Sequence, residues 1–345
     1  MVTIISPPTD PRTRRAEPEF GSSRKWRPRL FTIVAILGVA GTLAVTREPL
    51  AGITALFLIV VPFEKLFPRH KGQRIRRPQV LGDIGRALVA SAIQILTLIV
   101  AFPVAIISLA WIPGLLLRPL VQMIPAAVAP VVGIALFDLA IYWAHRWSHE
   151  VPFLWRFHSI HHSTEQLDWA SGFRNHPFDG AFIAPAFVFL LAAGFSPEFT
   201  GALTIVQIVT GIFLHANVRW RLRPFHRVII TPEFHHWHHS NHVEAHNSNY
   251  AVFLPLWDLI FGTYFMPKDR RPMVYGVDEY VPVGLVPQLV HPLRGMGNPF
   301  RVIRHPFRST KTGFRFAVDL TGQLWRSARR PTHSLRPAGS SLQAG

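Results

Sequence analysis

The sequence contains no cysteine, which excludes disulfides, thiolate metal ligands, cysteine nucleophiles and cysteine-anchored haem. Acid is scarce as well. The chain has 19 Asp+Glu against 36 Lys+Arg, and charged residues make up 16% of it, where a soluble domain carries roughly 25%. No G-x-G-x-x-G turn is present to cradle a dinucleotide, and no internal repeat is evident. What fills the chain is apolar, 49% of residues, with a mean hydropathy of +0.24. A pI of about 11.4 would suit a nucleic-acid binder, yet the basic residues flank long uncharged runs, as they do beside membrane spans. Nucleic acid is set aside as a partner on that ground.

The runs divide the chain. Residues 1–29 read as a basic, disordered tail without a signal-peptide cleavage site. N-terminal membrane spans are expected over 30–124. Leu30 to Phe63 is interrupted only by Arg47, Glu48 and Pro49, which suggests a tight hairpin, and Ala87 to Leu117 carries no charge. Between them lie Lys65, Arg69, Lys71, Arg74, Arg76 and Arg77, a basic loop that places both hairpin ends in the cytoplasm. The domain over 125–266 begins with the apolar run Ala126 to Ala144 and contains a second hairpin, Ala181 to Phe195 and Phe199 to Leu214, turned at Gly194-Phe195-Ser196-Pro197-Glu198. The extension over 267–345 is basic. Its residues Phe314, Ala317, Val318, Thr321, Leu324 and Trp325 have helical spacing, which fits an interfacial helix or an ordinary packed one, before a disordered end. The expected fold class is all-α: a polytopic membrane protein with about four transmembrane helices, an additional apolar hairpin, and a cytoplasmic helical cap holding a His-rich dimetal site. The expected location is the cell inner membrane, with the metal site and both termini cytoplasmic.

Histidine is the abundant polar residue. There are 18, and 14 fall between His145 and His246. Three clusters stand out: His145-x3-His149, His158-x2-His161-His162 and His235-His236-x-His238-His239. On a helix, i and i+4 share a face, so His145 and His149 can serve one centre. In H-x-x-H-H the i and i+3 members are expected to share a face, with the i+4 member one turn from the first, and His236 is expected to point away. Eight imidazoles exceed the needs of one ion, so two metals are implied. Spacing does not choose among Zn, Cu, Fe and Ni. A carboxylate-bridged di-iron bundle would need two Glu-x-x-His motifs, and only Glu233 to His236 has that spacing. No H-E-x-x-H is present. Asp138, Tyr142, His145 and His149 fall on one helical face, and Asp138, the only charge in its run, is expected to accept the second ring N–H of His145. An arginine partner is the alternative.

Together these residues resemble the fatty acid hydroxylase/sterol desaturase superfamily of membrane-bound, histidine-ligated di-iron oxygenases. The resemblance runs from Gly133 to Met266, inside the 125–266 catalytic domain. It rests on Asp138-x6-His145-Arg-x2-His149, Phe157-His158-x2-His161-His162-Ser163, Arg174-x-His176-Pro177, His215-x-Asn217, His235-x2-His238-His239-x2-His242, Asn249-Tyr250 and Trp257-Asp258-x2-Phe261-Gly262-Thr263-Tyr264. It departs from the family at Asn247 and Ala251. The resemblance implies that His145, His149, His158, His161, His162, His215, His235, His238 and His239 hold two Fe ions, with His176 and His242 as further candidates. Asp138, Tyr142, Asn217 and Asn249 are the candidate catalytic-site residues around them. It further implies O2 as cosubstrate, a lipid substrate (sterol, fatty acyl or related) that is hydroxylated or desaturated, and electrons from a separate ferredoxin, cytochrome b5-like protein or reductase. Trp143, Trp147, Phe153, Trp155, Trp169 and Trp237 are candidates to line a lipid route. Two other classes remain open from the residues alone: a His-rich metal transporter and a di-zinc lipid hydrolase.

Overall fold

The computed structural model describes residues 49–73, 77, 79–88, 101–106, 108–181, 183–294 and 306–329. The expected N-terminal tail, most of the first hairpin and the C-terminal end lie outside the described residues. The chain divides into compact units over 1–55 and 56–345. The helix α1 (Pro49–Leu66) starts in one and ends in the other, and all later helices belong to the second. Every regular element among the described residues is helical, joined by two isolated bridges, Pro68 with Val218 and Ser240 with Tyr275. After α1 come α2 (Val80–Leu88), α3 (Trp111–Gln122), α4 (Ala129–Glu150), α5 (Pro152–His162), α6 (Pro177–Ala181), α7 (Ala184–Ala193), α8 (Pro197–His215), α9 (Pro232–His238), α10 (Leu256–Ile260), α11 (Leu285–Val290) and α12 (Pro306–Ala328).

Local chemistry sets the turns that matter. Proline disfavours the helical conformation in the residue before it, and Pro152 leaves Val151 extended, at φ −100° and ψ 114°, so that α4 ends and α5 doubles back. The turn between α7 and α8 is the one the sequence suggests. Gly194 takes φ +100°, open to glycine without strain, and Ser196 accepts the Phe199 N–H as the N-cap of α8. Thr231 caps α9 through the Phe234 N–H in the same way.

Among the described residues, α8, of 19 residues, is the one helix both long and apolar enough to cross a membrane. The four expected spans are therefore not seen as such. The uncharged run Ala87 to Leu117 breaks at Leu109, which adopts φ 57°, so that α3 has only 12 residues. α7 has 10, half of what a span needs. The second hairpin thus has one long arm and one short one. Within the basic loop Arg77 is 3% exposed and ion-paired to Asp83 and Asp168, and Arg69 bonds His236 and the Pro272 carbonyl. These two arginines hold the interior together.

α4, α7 and α8 share a core of Phe137, Ile141, Ala186, Leu190, Ala193 and Leu203. α3 lies close against α7 because Gly114 has no side chain: a Cβ there would sit 2.9 Å from that of Ala192 and would strike the Phe189 carbonyl. α12 docks on the end of α4, with Ser327 donating to Glu150 at 2.6 Å and the Phe316 ring 4.9 Å from that of Phe153. Its Val318 and Trp325 stay exposed. Small residues permit such close helix approach, so Gly114→Val should force α3 off α7 and cost about 1–3 kcal/mol by overpacking. Thermal unfolding in detergent is expected to show a lowered Tm; an unchanged Tm would mean the two helices are not held at this distance.

Candidate metal centre

Two groups of imidazoles form where α4, α5, α8 and α9 meet. His145, His149, His158, His162 and His238 make the first, and His161, His215, His235 and His239 the second; within each, the ligand nitrogens all lie within 4.8 Å of one another. The groups adjoin, with the His162 and His239 rings stacked at 4.2 Å. Each H-x-x-H-H motif is split between them. His158 and His162 serve the first group and His161 the second, whereas His235 and His239 serve the second and His238 the first. The expected sharing of a face by i and i+3 is thus corrected: i and i+4 stay together, and i+3 crosses to the neighbouring group. At 3.6 residues per turn the i+3 position lies to the opposite side of i from i+4, so a helix seated between two centres sends them apart.

Five of the nine rings are tied from behind. Nδ1 donates to a backbone carbonyl from His145 (Tyr250, 2.7 Å), His238 (Ser248, 2.9 Å), His161 (Arg174, 3.2 Å) and His215 (Gly211, 2.6 Å), and His158 bonds the Asp179 carboxylate at 2.9 Å. A carbonyl oxygen only accepts, so these rings carry their proton on Nδ1 and, when neutral, present a bare Nε2. The Nε2 atoms of His161 and His215 nevertheless face each other at 3.1 Å, and His215, His235 and His239 close a triangle of 3.0 to 3.1 Å. In the first group Nε2 of His149, His158, His162 and His238 is buried with no hydrogen-bond partner. Between His161 and His215, whose protons sit on Nδ1, lone pairs converge in a buried site, an arrangement that fits a bound cation.

Burial, then the neighbouring imidazoles, push His161, His162, His235, His238 and His239 well below the ordinary 6.5 of histidine. The rings are neutral in the folded chain, as metal ligation requires. Neither group contains a carboxylate.

The acidic side chains instead hold the loops that supply those carbonyls. Asp138 does not meet His145. Its carboxylate accepts the N–H groups of Val252, Phe253 and Leu254 at 3.0, 3.0 and 2.8 Å, and Asp258 accepts those of Tyr250 and Ala251 and the Thr263 hydroxyl. Between them the two acids clamp residues 250–254, and that loop presents the Tyr250 carbonyl to His145. Asp138 thus acts on His145 through the backbone; the expected direct bond is corrected. Tyr142 shares a hydrogen bond with Thr263 at 3.0 Å, away from both groups. Asn249, at φ 60°, pins Phe234 and Phe265 through their backbones. Asn217 bonds the His70 backbone, while its own N–H and that of Trp169 go to Glu64.

His176 and His242 lie outside both groups. His176 bonds the Leu289 carbonyl and the Phe178 N–H, and His242 accepts the Met273 N–H. His236 turns away, towards the Ala216 carbonyl. Of the six aromatic candidates Trp155 alone touches the groups, its ring 5.2 Å from His149 and 5.6 Å from His162; Trp237 is fully buried against Phe265.

Sequence reasoning missed a buried charge chain. Asp168 pairs with Arg77, Arg77 with Asp83, and Asp83 with Arg174 at 2.6, 2.8 and 2.8 Å, and Arg174 is the residue whose carbonyl takes His161. Nothing local signals that Arg77 and Asp168, 91 positions apart, will meet. Asp179 could have been found, as the only acid beside the His176-Pro177 element.

Asp138→Asn loses charge at three backbone donors and loosens the loop that carries the Tyr250 carbonyl, although Asp258 still accepts the Tyr250 N–H, so metal content of the purified protein should fall about 10- to 100-fold, as for other residues that orient ligands; full loading would show that the clamp does not govern His145. The unfolded chain takes up more protons than the folded one below pH 6.5, so stability of the metal-free protein is complete above that pH and is lost as pH falls beneath it. A Tm measured across pH that rises on acidification would contradict neutral rings.

The family model described as fatty acid hydroxylase matches residues 130–263. Ornithine lipid hydroxylase OlsE of Rhizobium tropici is 31% identical over 246 residues, which covers 69% of this chain and 73% of that protein. Alkylglycerol monooxygenase of Homo sapiens is 28% identical over 198 residues, 54% of this chain and 40% of its own length; the Danio rerio enzyme is 29% identical over 147 residues, 43% and 32%. The chain therefore spans less than half of the alkylglycerol monooxygenases. No solved structure matches. A relative this similar over nearly three quarters of its length, with a family match lying on the helices that carry both histidine groups, makes the chain a member of the fatty acid hydroxylase family.

Proposed function

We propose that the chain hydroxylates a membrane lipid at an unactivated C–H bond, with two iron ions held by the nine histidines and O2 as cosubstrate. The observation that carries this reading is the pair of all-imidazole groups, in the first of which the buried Nε2 atoms of His149, His158, His162 and His238 lack partners. Iron bound there would supply the redox chemistry for O2 activation, which no protein side chain provides. A lipid substrate is supported by the two named relatives, a hydroxylase of ornithine lipid and a monooxygenase of alkylglycerol. Those names also favour oxygen insertion over desaturation.

The protein's own residues would divide the remaining tasks. His161, His215, His235 and His239 are all buried, whereas His145 and His149 are half-buried, so the substrate chain approaches from the first group's side. Trp155, lying across His149 and His162, is placed to bound that approach and keep water from it. The carbonyls of Tyr250, Ser248, Arg174 and Gly211 hold the rings in one tautomer through every turnover. Electrons come from a separate protein donor. We place the site on the cytoplasmic side of the inner membrane, where such donors are found.

Against the rival classes, a transporter sets its ligands near mid-bilayer, while His215 is the last residue of α8. A di-zinc hydrolase would need a carboxylate base, and neither group includes one. The test is metal analysis of protein purified from iron-supplied cells, followed by turnover with a reductase system and mass spectrometry of the lipids. Two irons per chain and a lipid heavier by one oxygen atom are expected. Lipid cleavage without O2 or reductant would overturn the reading.

A further inference from the structure

Six residues beyond the end of α8 the chain enters a strongly basic turn. Arg221, Arg223 and Arg227, with Tyr264 and Lys268 from the facing stretch of chain, line a cavity of about 310 Å³ that has no acidic residue in its wall. The one carboxylate paired with Arg221 belongs to Glu233, itself 1% exposed and shared with Arg271. The walls are held in place: Arg223 donates to the Lys268 carbonyl at 2.8 Å, the Tyr264 hydroxyl to the His226 carbonyl at 3.3 Å, and the His226 ring to the Arg221 carbonyl.

Apolar side chains alternate with these cations, and water reaches them. Phe225, Val228 and Ile229 are 50%, 61% and 44% exposed. A backbone bond from the Ile230 N–H to the Phe253 carbonyl, 3.0 Å, brings this turn beside α10, whose Leu256, Leu259 and Ile260 are exposed as well. Contiguous exposed apolar surface rimmed by cations marks a surface that meets something. A free anion would have no use for the apolar turns. The acyl and phosphate layers of a bilayer supply both, at the depths where apolar loops and arginine side chains settle.

We propose that this face seats on the bilayer and that the cavity takes the headgroup phosphate of an anionic phospholipid that is not the substrate. The inference rests on the reading of the chain as a membrane-lipid enzyme and adds to it a structural lipid site. Its position at the end of α8 that also bears His215 would hold the histidine groups at a set height over the membrane surface. Each cation near an anionic surface contributes on the order of 1 kcal/mol, so three together decide binding.

The test uses the full-length protein in neutral detergent, titrated with short-chain phosphatidylglycerol, short-chain phosphatidylcholine or inorganic phosphate and read by native mass spectrometry. Phosphatidylglycerol is expected to bind with preference over the other two. A triple variant, Arg223→Gln with Arg227→Gln and Lys268→Gln, should bind it roughly a hundredfold more weakly, while the charge-keeping pair Arg223→Lys with Arg227→Lys retains it. Equal binding of phosphatidylcholine, competition by inorganic phosphate at equal concentration, or full affinity in the glutamine variant would overturn the proposal. So would a glutamine variant that keeps its lipid yet loses turnover with a protein donor, which would assign the cavity to that donor. Iron content measured on the same samples reports separately on the metal reading: it should be unchanged by these substitutions, and protein that binds phosphatidylglycerol without iron would count against the metal reading alone.

Discussion

Nine imidazoles aimed at two points, without a carboxylate among them, form the constraint on which the rest of the structure depends. Neutral rings such as His161 and His215, whose unprotonated Nε2 atoms face each other at 3.1 Å in a buried site, repel one another. Five of the nine rings are held from behind by a backbone carbonyl or by Asp179, and the converging nitrogens are able to hold metal. Much of the molecule around it can be understood as the means of holding.

The holding is done mostly by backbone. Four rings donate to carbonyls on loops or helix ends, and the loops are immobilised by acids buried beyond them. Asp138 and Asp258 together accept five backbone N–H groups between Tyr250 and Leu254. Buried charge of this kind is costly unless fully bonded, and here every carboxylate oxygen of both acids has a donor. Asp83, between Arg77 and Arg174, steadies the segment that carries the carbonyl for His161. The scarcity of acid in the composition therefore has a structural counterpart: several of the few acids are committed to loop geometry and none lies within a histidine group.

This arrangement also separates the two groups by access. All four rings of the group completed by α8 are buried, and the group built on α4 is partly exposed at His145 and His149, beside Trp155. The same geometry explains why α4 and α5 cannot be one continuous helix. Pro152 makes α5 fold back, and the fold places His158 and His162 opposite His145 and His149.

Much of the site was legible in the sequence. The imidazole identities, the i and i+4 spacing, the lack of thiolates, the α7–α8 turn and the isolated acid at Asp138 are all local properties that spacing and composition state directly. The split of each H-x-x-H-H motif, the true partners of Asp138, the exclusion of His176 and His242 from both groups and the burial of Arg77 were not legible, because each depends on contacts between elements far apart in the chain or on how two helices cross. Helix length was less legible: hydropathy counts apolar residues, but Leu109 takes φ 57°, and the short apolar helix α7 packs against α3 and α4. The sequence by itself determined which histidines recur at ligand spacing and where along the chain they lie. Only the tertiary structure decided which ring joins which group, since α4, α5, α8 and α9 meet there from distant parts of the chain and rings such as His145 are turned by a carbonyl 105 positions away.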